Sequence, residues 1–160
     1  MATSRTATDR IGLRYGIYTG IAMSIYFLIL NLFGLQNIEE IRFLNHIFIG
    51  IGVIMAILKV KRVNDGSISY LKGLGIGFVI GLVSSIIYGI FIYLYMTLIG
   101  QEYQNTLRTQ DYFGSDISPI VQFASITLLG VVGGAFVAYI LMMLYDKSGG
   151  DTSASKHLNV

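Results

Sequence analysis

Chemistry near neutral pH falls first to histidine and cysteine, and this chain offers two histidines and no cysteine. Without a thiol, disulfides, zinc–thiolate sites, iron–sulfur clusters and thiol catalysis are excluded. His46 follows Asn45 near one end of an apolar run, while His157 lies in the C-terminal tail, expected on the opposite side of a membrane. A metal centre needs several ligands within reach, and catalysis needs a nucleophile, a base and an orienting group together. Neither set is in sight, so His46 reads as an interfacial side chain bonded to water or headgroups. Gly75, Gly77 and Gly81 spell G-x-G-x-x-x-G. A nucleotide-binding turn of that kind requires a strand running into a helix in water, with phosphate on the helix N-terminus. These glycines belong to an uncharged apolar run and read as packing positions.

Polar side chains do enter the apolar runs: Thr19, Ser24, Tyr26, Asn31, Ser84, Ser85, Tyr88, Gln122, Ser125 and Thr127. They could line a cavity, or bond across helices and back to their own carbonyls for well under about 2 kcal/mol each. The second reading is preferred. Between their basic ends the runs hold no Asp, Glu, Lys or Arg. Ionisable groups at membrane depth mark proton relays and ion pathways, so their absence argues against a pump or a proton-coupled carrier. No catalytic residue, cofactor or metal ligand is expected, and the chain reads as not an enzyme.

The elements that carry these residues follow from hydropathy. Only 12% of the residues are charged and mean hydropathy is +0.67, against roughly 25% charged in a soluble domain. Gly73 to Ile99 contains no charge at all, and about 20 apolar residues suffice to cross a bilayer. With three further runs, the expected fold is all-α: a polytopic integral membrane protein with transmembrane helices at about 11–33, 38–63, 69–99 and 119–146. Residues 11–146 form one domain. Residues 1–10 are expected as a loose cytoplasmic tail, and 147–160, after Gly149-Gly150, as a disordered one. The first run is too long for a signal peptide and stays as an anchor.

Local signals set the boundaries. Gly34 ends the first helix, and Asn37 with Glu40 caps the second. Asn64-Asp65-Gly66 is a turn, with Ser67 or Ser69 capping the third helix. Ser118-Pro119 opens the fourth. The loop 100–118 is either a short interfacial helix or irregular chain. Arg5, Arg10, Arg14, Lys59, Lys61, Arg62, Lys72, Lys147 and Lys156 fall on one side, and only Arg42 and Arg108 on the other. The positive-inside rule then places both termini in the cytoplasm.

Small residues recur every four positions: Gly12, Gly16, Gly20 and Ser24 in the first helix, Gly73, Gly77, Gly81, Ser85 and Gly89 in the third, and Gly130, Gly134 and Ala138 in the fourth. On a helix this glycine-zipper spacing makes a shallow groove that admits another helix closely. An offset of 61 residues lays Gly12, Gly16, Gly20 and Ser24 onto Gly73, Gly77, Gly81 and Ser85. That suggests a duplicated helical hairpin, with convergence of zipper patterns as the alternative. The first and third helices are expected to pack through their small faces.

The segment Asp65-Gly66-Ser67-Ile68-Ser69-Tyr70-Leu71-Lys72-Gly73, running on to Gly77, Ser85 and Tyr88, resembles bacterial four-helix membrane proteins of domain of unknown function 4199. The resemblance runs from about Tyr15 to Tyr145 and implies architecture and localisation, with no activity to transfer. The expected protein is a small integral subunit of the bacterial inner membrane with a structural or interaction role. Its partners would be membrane lipids and another membrane protein or itself as a homo-oligomer, and no nucleic acid. The alternative is a passive transporter or channel-like oligomer for a small neutral or lipid-like substrate.

Overall fold

The computed structural model describes residues 2–35, 41, 44–63, 68–98 and 118–154. Four of its helices are long and apolar enough to cross a membrane, and no strand occurs among the described residues. Helix α1 is Ala2–Leu32. A 3₁₀ turn, Leu44–His46, leads directly into α2, Ile47–Val63; α3 is Tyr70–Leu98 and α4 is Pro119–Ala154.

The helix ends follow their local chemistry. Beyond α1, Gly34 adopts φ 67°, a left-handed conformation that costs an L-residue roughly 1–2 kcal/mol and glycine little. There the Phe33 N–H donates to the Ile29 carbonyl at 3.2 Å and the Gly34 N–H to that of Asn31 at 3.1 Å. At the start of α3 the Ser69 carbonyl accepts the Gly73 N–H at 3.0 Å, which selects Ser69 as the capping position. Ser118 precedes α4 in the same way. Its carbonyl accepts from Gln122 N–H at 3.1 Å, its hydroxyl accepts from Val121 N–H at 3.4 Å, and Pro119 is the first helical residue.

Two boundaries differ from expectation. Helix α1 begins at Ala2, not near residue 11, and α4 runs through Gly149-Gly150 to Ala154 instead of ending near 146. The segments expected as loose tails are helical over 2–10 and 147–154. Residues 2–10 contain neither glycine nor proline, and extending a nucleated helix is far easier than starting one. Glycine costs about 1 kcal/mol per position relative to alanine, a penalty but not a stop. The Asn37–Glu40 cap, the Asn64–Gly66 turn with Ser67, and the 100–117 part of the loop lie outside the described residues.

Around the bundle α3 is the hub. Its longest contact is with α4 and its next with α1, and it also touches α2; α2 meets both α1 and α4, while α1 and α4 sit on the far diagonal. Met23 and Phe27 of α1, Val53 and Ile57 of α2, Ile80 and Ile92 of α3, and Ala138 and Met142 of α4 fill the centre. Large apolar side chains cover the outside of every helix, as a lipid-facing surface requires. Lipid is as apolar as leucine, so helices cohere by close packing and a few hydrogen bonds. That makes the small residues decisive.

Candidate functional site

The α3–α4 seam is built from backbone. Gly73, Gly77, Gly81, Ser85 and Gly89 are all buried on it. In antiparallel order they face Met142, Ala138 with Gly134, Gly130 with Gly134, Gly130 with Thr127, and Phe123. A β-carbon at Gly81 would fall on the Gly130 carbonyl oxygen, and one at Gly77 on the Ala138 methyl, 2.5 Å from the Gly134 oxygen. From the other side, a β-carbon at Gly134 would lie 2.5 Å from the Gly77 oxygen and 2.8 Å from the Gly81 Cα, and one at Gly130 would meet Ser85 Cβ. Near the ends of the seam the neighbours are side chains: the Met142 thioether at Gly73 and the Phe123 ring, 2.8 Å away, at Gly89. The Ser85 hydroxyl lies 2.6 Å from the Gly81 carbonyl and 3.4 Å from that of Thr127 on α4.

The α1–α3 seam corrects an expectation. Gly12, Gly16 and Gly20 do face α3, but across from them stand Val79, Val83 and Ile87, not small residues. Built β-carbons would lie 3.5 Å from Val79 at Gly12, 2.9 Å from Val83 at Gly16, and 2.9 Å from Ile87 at Gly20. The pairs advance together, so the helices run parallel. Here an i, i+4 ridge of β-branched side chains on α3 enters the groove on α1. The small face of α3 is unavailable because α4 occupies it. Ser24, last of the α1 stripe, is half-buried and donates to the Gly20 carbonyl at 3.0 Å. Glycines superposed by the 61-residue offset therefore meet unlike neighbours: Gly16 meets Val83, and Gly77 meets Ala138 and Gly134.

A third close approach was not legible as a stripe. Gly52 of α2 lies against the Thr19 hydroxyl of α1, which is buried. Gly52 stands two residues after Gly50 among β-branched neighbours and fits no four-residue spacing, so only its partner reveals its role. Further along, the Tyr26 and Phe48 rings meet at 5.3 Å, and the Tyr26 hydroxyl donates to the Ile41 carbonyl at 3.1 Å.

Hydroxyls that could have lined a route turn back onto their own helices. Ser84 donates to the Ile80 carbonyl at 2.7 Å and Thr127 to that of Phe123 at 2.9 Å. Asn45 is buried with both amide atoms lacking a hydrogen-bond partner, and His46, next to it, is half-buried. Phe27 packs edge-on against Tyr88, Phe91 and Tyr95 at 6.4, 5.9 and 5.2 Å. At the other end Lys61 Nζ sits 4.0 Å from the centre of the Tyr145 ring. Among the described residues no three of His, Cys, Asp and Glu gather at a point. The contacts made by these residues interlock the helices.

A family model described as "Protein of unknown function (DUF4199)" matches residues 14–111. The match covers most of α1 with α2 and α3 and stops short of α4, whereas the resemblance was expected to reach Tyr145. No curated protein and no solved structure matches the chain.

Proposed function

The chain belongs to the DUF4199 family, whose function is unknown, and from that premise we propose a non-catalytic integral membrane protein with a structural or interaction role. Its setting in this reading is a bacterial cytoplasmic membrane, both termini inside, as the lysine and arginine count indicates. One observation carries the proposal. Among the described residues the buried polar side chains are Thr19, Asn45, Ser84 and Ser85, none of which carries a charge, and the rest of the described core is aliphatic, aromatic and thioether side chains with one phenol, Tyr88. Such an interior suits a scaffold and gives a proton or ion nothing to step along.

The glycine stripes do not supply the docking surface. Five spaced small residues on α3 suggested more packing capacity than one helix could use, yet α4 takes all five. The face left over is the outer side of α4, of whose apolar window 22% is buried against 44% for α3. In this reading a partner, another membrane protein or a second copy, lies against α4 near Val132, Gly133 and Phe136. The absence of cysteine makes the test clean. Single cysteines at Phe136 and, as a control, at Ile21 of α1 would be cross-linked in native membranes and the adducts identified by mass spectrometry. A discrete protein adduct at Phe136 alone supports the reading; none at either position contradicts it. If the adduct is a second copy, solute flux into liposomes carrying only this protein decides for the transport alternative.

A further inference from the structure

Three features meet at the end of α2 away from its basic residues. The Asn45 side chain is 3% exposed, and neither of its amide atoms has a hydrogen-bond partner among the described residues. It stands in the Leu44–His46 3₁₀ turn, whose hydrogen bonds are poorer than those of the α-helix that follows. Just beyond is Gly50, where packing does not require a glycine. A β-carbon there would make an ordinary contact, 3.9 Å from Val137, whereas one at Gly52 would collide with the Thr19 hydroxyl. A glycine that no neighbour demands weakens a helix locally and gives it a place to bend.

The same segment is gripped from α1. The Tyr26 ring meets Phe48 at 5.3 Å and its hydroxyl donates to the Ile41 carbonyl at 3.1 Å, so one side chain holds the chain on both sides of Asn45. Against that grip stands the amide, whose unpaired burial costs free energy that hydration recovers. About 20 Å of helix separates Asn45 from Lys59. That sets the amide near the far edge of a hydrocarbon layer ~30 Å thick, within a small outward swing of water or headgroups. We propose that residues 44–49 form a hinged flap that opens about Gly50, with Tyr26 as its catch and the Asn45 amide as the group that favours the open state. The packed arrangement is the closed member of the pair, and opening uncovers Ile49, which is 2% exposed when closed. Val53, one turn inward on the same face and fully buried, lies beyond the hinge and stays covered. The flap does not depend on what docks on the outer face of α4.

The test is the rate at which a charged methanethiosulfonate labels single cysteines in permeabilised membranes, where both ends of the bundle meet the reagent. Ile49→Cys is expected to react faster than Val53→Cys. Adding Asn45→Leu should slow Ile49→Cys by about fivefold or more, because the closed state then buries no unpaired amide. Adding Gly50→Ala, which stiffens the hinge, should slow it as well. Adding Tyr26→Phe keeps the ring, loses the hydroxyl and should speed labelling by about fivefold. Asn45→Gln retains an amide and should not slow it, which separates the polarity of the side chain from a general change in packing. Equal protection of Ile49→Cys and Val53→Cys, a rate that neither Asn45→Leu nor Gly50→Ala lowers, or slower labelling in Tyr26→Phe would each overturn the assignment.

Discussion

The substitution Gly81→Ala adds one methyl group where α3 and α4 meet backbone to backbone. The new carbon would coincide with the space of the Gly130 carbonyl oxygen and lie 3.2 Å from both the Gly130 carbonyl carbon and the Gly134 Cα. None of these atoms can rotate away, so α4 must withdraw by on the order of 1 Å, a gap that forfeits up to about half of the dispersion energy of the contacts it opens. Overpacking of this kind costs about 1–3 kcal/mol, and the better helix propensity of alanine returns up to about 1 kcal/mol. A net loss of about 1–2 kcal/mol is expected, a five- to thirtyfold fall in the folded-to-unfolded ratio. Gly75→Ala, six residues earlier on the same helix, meets nothing within 4 Å and keeps only the propensity gain. The two variants should therefore move in opposite directions when unfolded by sodium dodecyl sulfate in mixed micelles and followed by circular dichroism. Equal shifts of the same sign would refute the close seam.

Gly73→Ala should be nearly neutral in the same titration, because the atoms it meets are the flexible end of Met142 and can swing aside. Asn45→Leu should raise stability by about 1–2 kcal/mol, since it removes two buried unpartnered polar atoms with little change of shape; a loss would show that the amide has a partner in the membrane. Phe27→Ala should cost about 3–5 kcal/mol, the cavity and the three ring contacts of a side chain only 2% exposed. A change below about 0.5 kcal/mol there would mean that the site collapses onto the space or that lipid fills it.

Hydropathy alone specified four spanning helices, because charge-free runs of this length have few other stable forms. The cap at Ser118 and the stop at Gly34 were equally plain, being short-range chemistry, and Ser69 was one of two serines offered for the third helix. Which helix each glycine stripe would meet was not plain. Spacing by fours identifies a face, but the choice of neighbour is made by complementarity across the bundle. The clue was nevertheless present. Val79, Val83 and Ile87 form their own ridge on α3, fit to enter the α1 groove, while Gly130, Gly134 and Ala138 offer α4 as the small-faced mate for Gly73, Gly77 and Gly81. Gly52 and Asn45 carried no pattern at all, since each depends on a single contact or on the lack of one. Residues 2–10 differ for another reason: their polar composition suggests a tail, yet they hold no helix stop, and α1 runs through them.

The central claim is that the small face of α3 is filled by α4 of the same chain. In a protein without native cysteine, the direct measurement is cross-linking in native membranes with Ser85→Cys, alone and combined with Thr127→Cys, using a short reagent that carries two thiol-reactive groups. The Ser85 hydroxyl lies 3.4 Å from the Thr127 carbonyl, so the double variant should close an internal bridge and stay monomeric on a denaturing gel, with the single variant unlinked. Dimers formed through Cys introduced at Ser85 alone would mean that the groove is open to other chains, and would contradict the account.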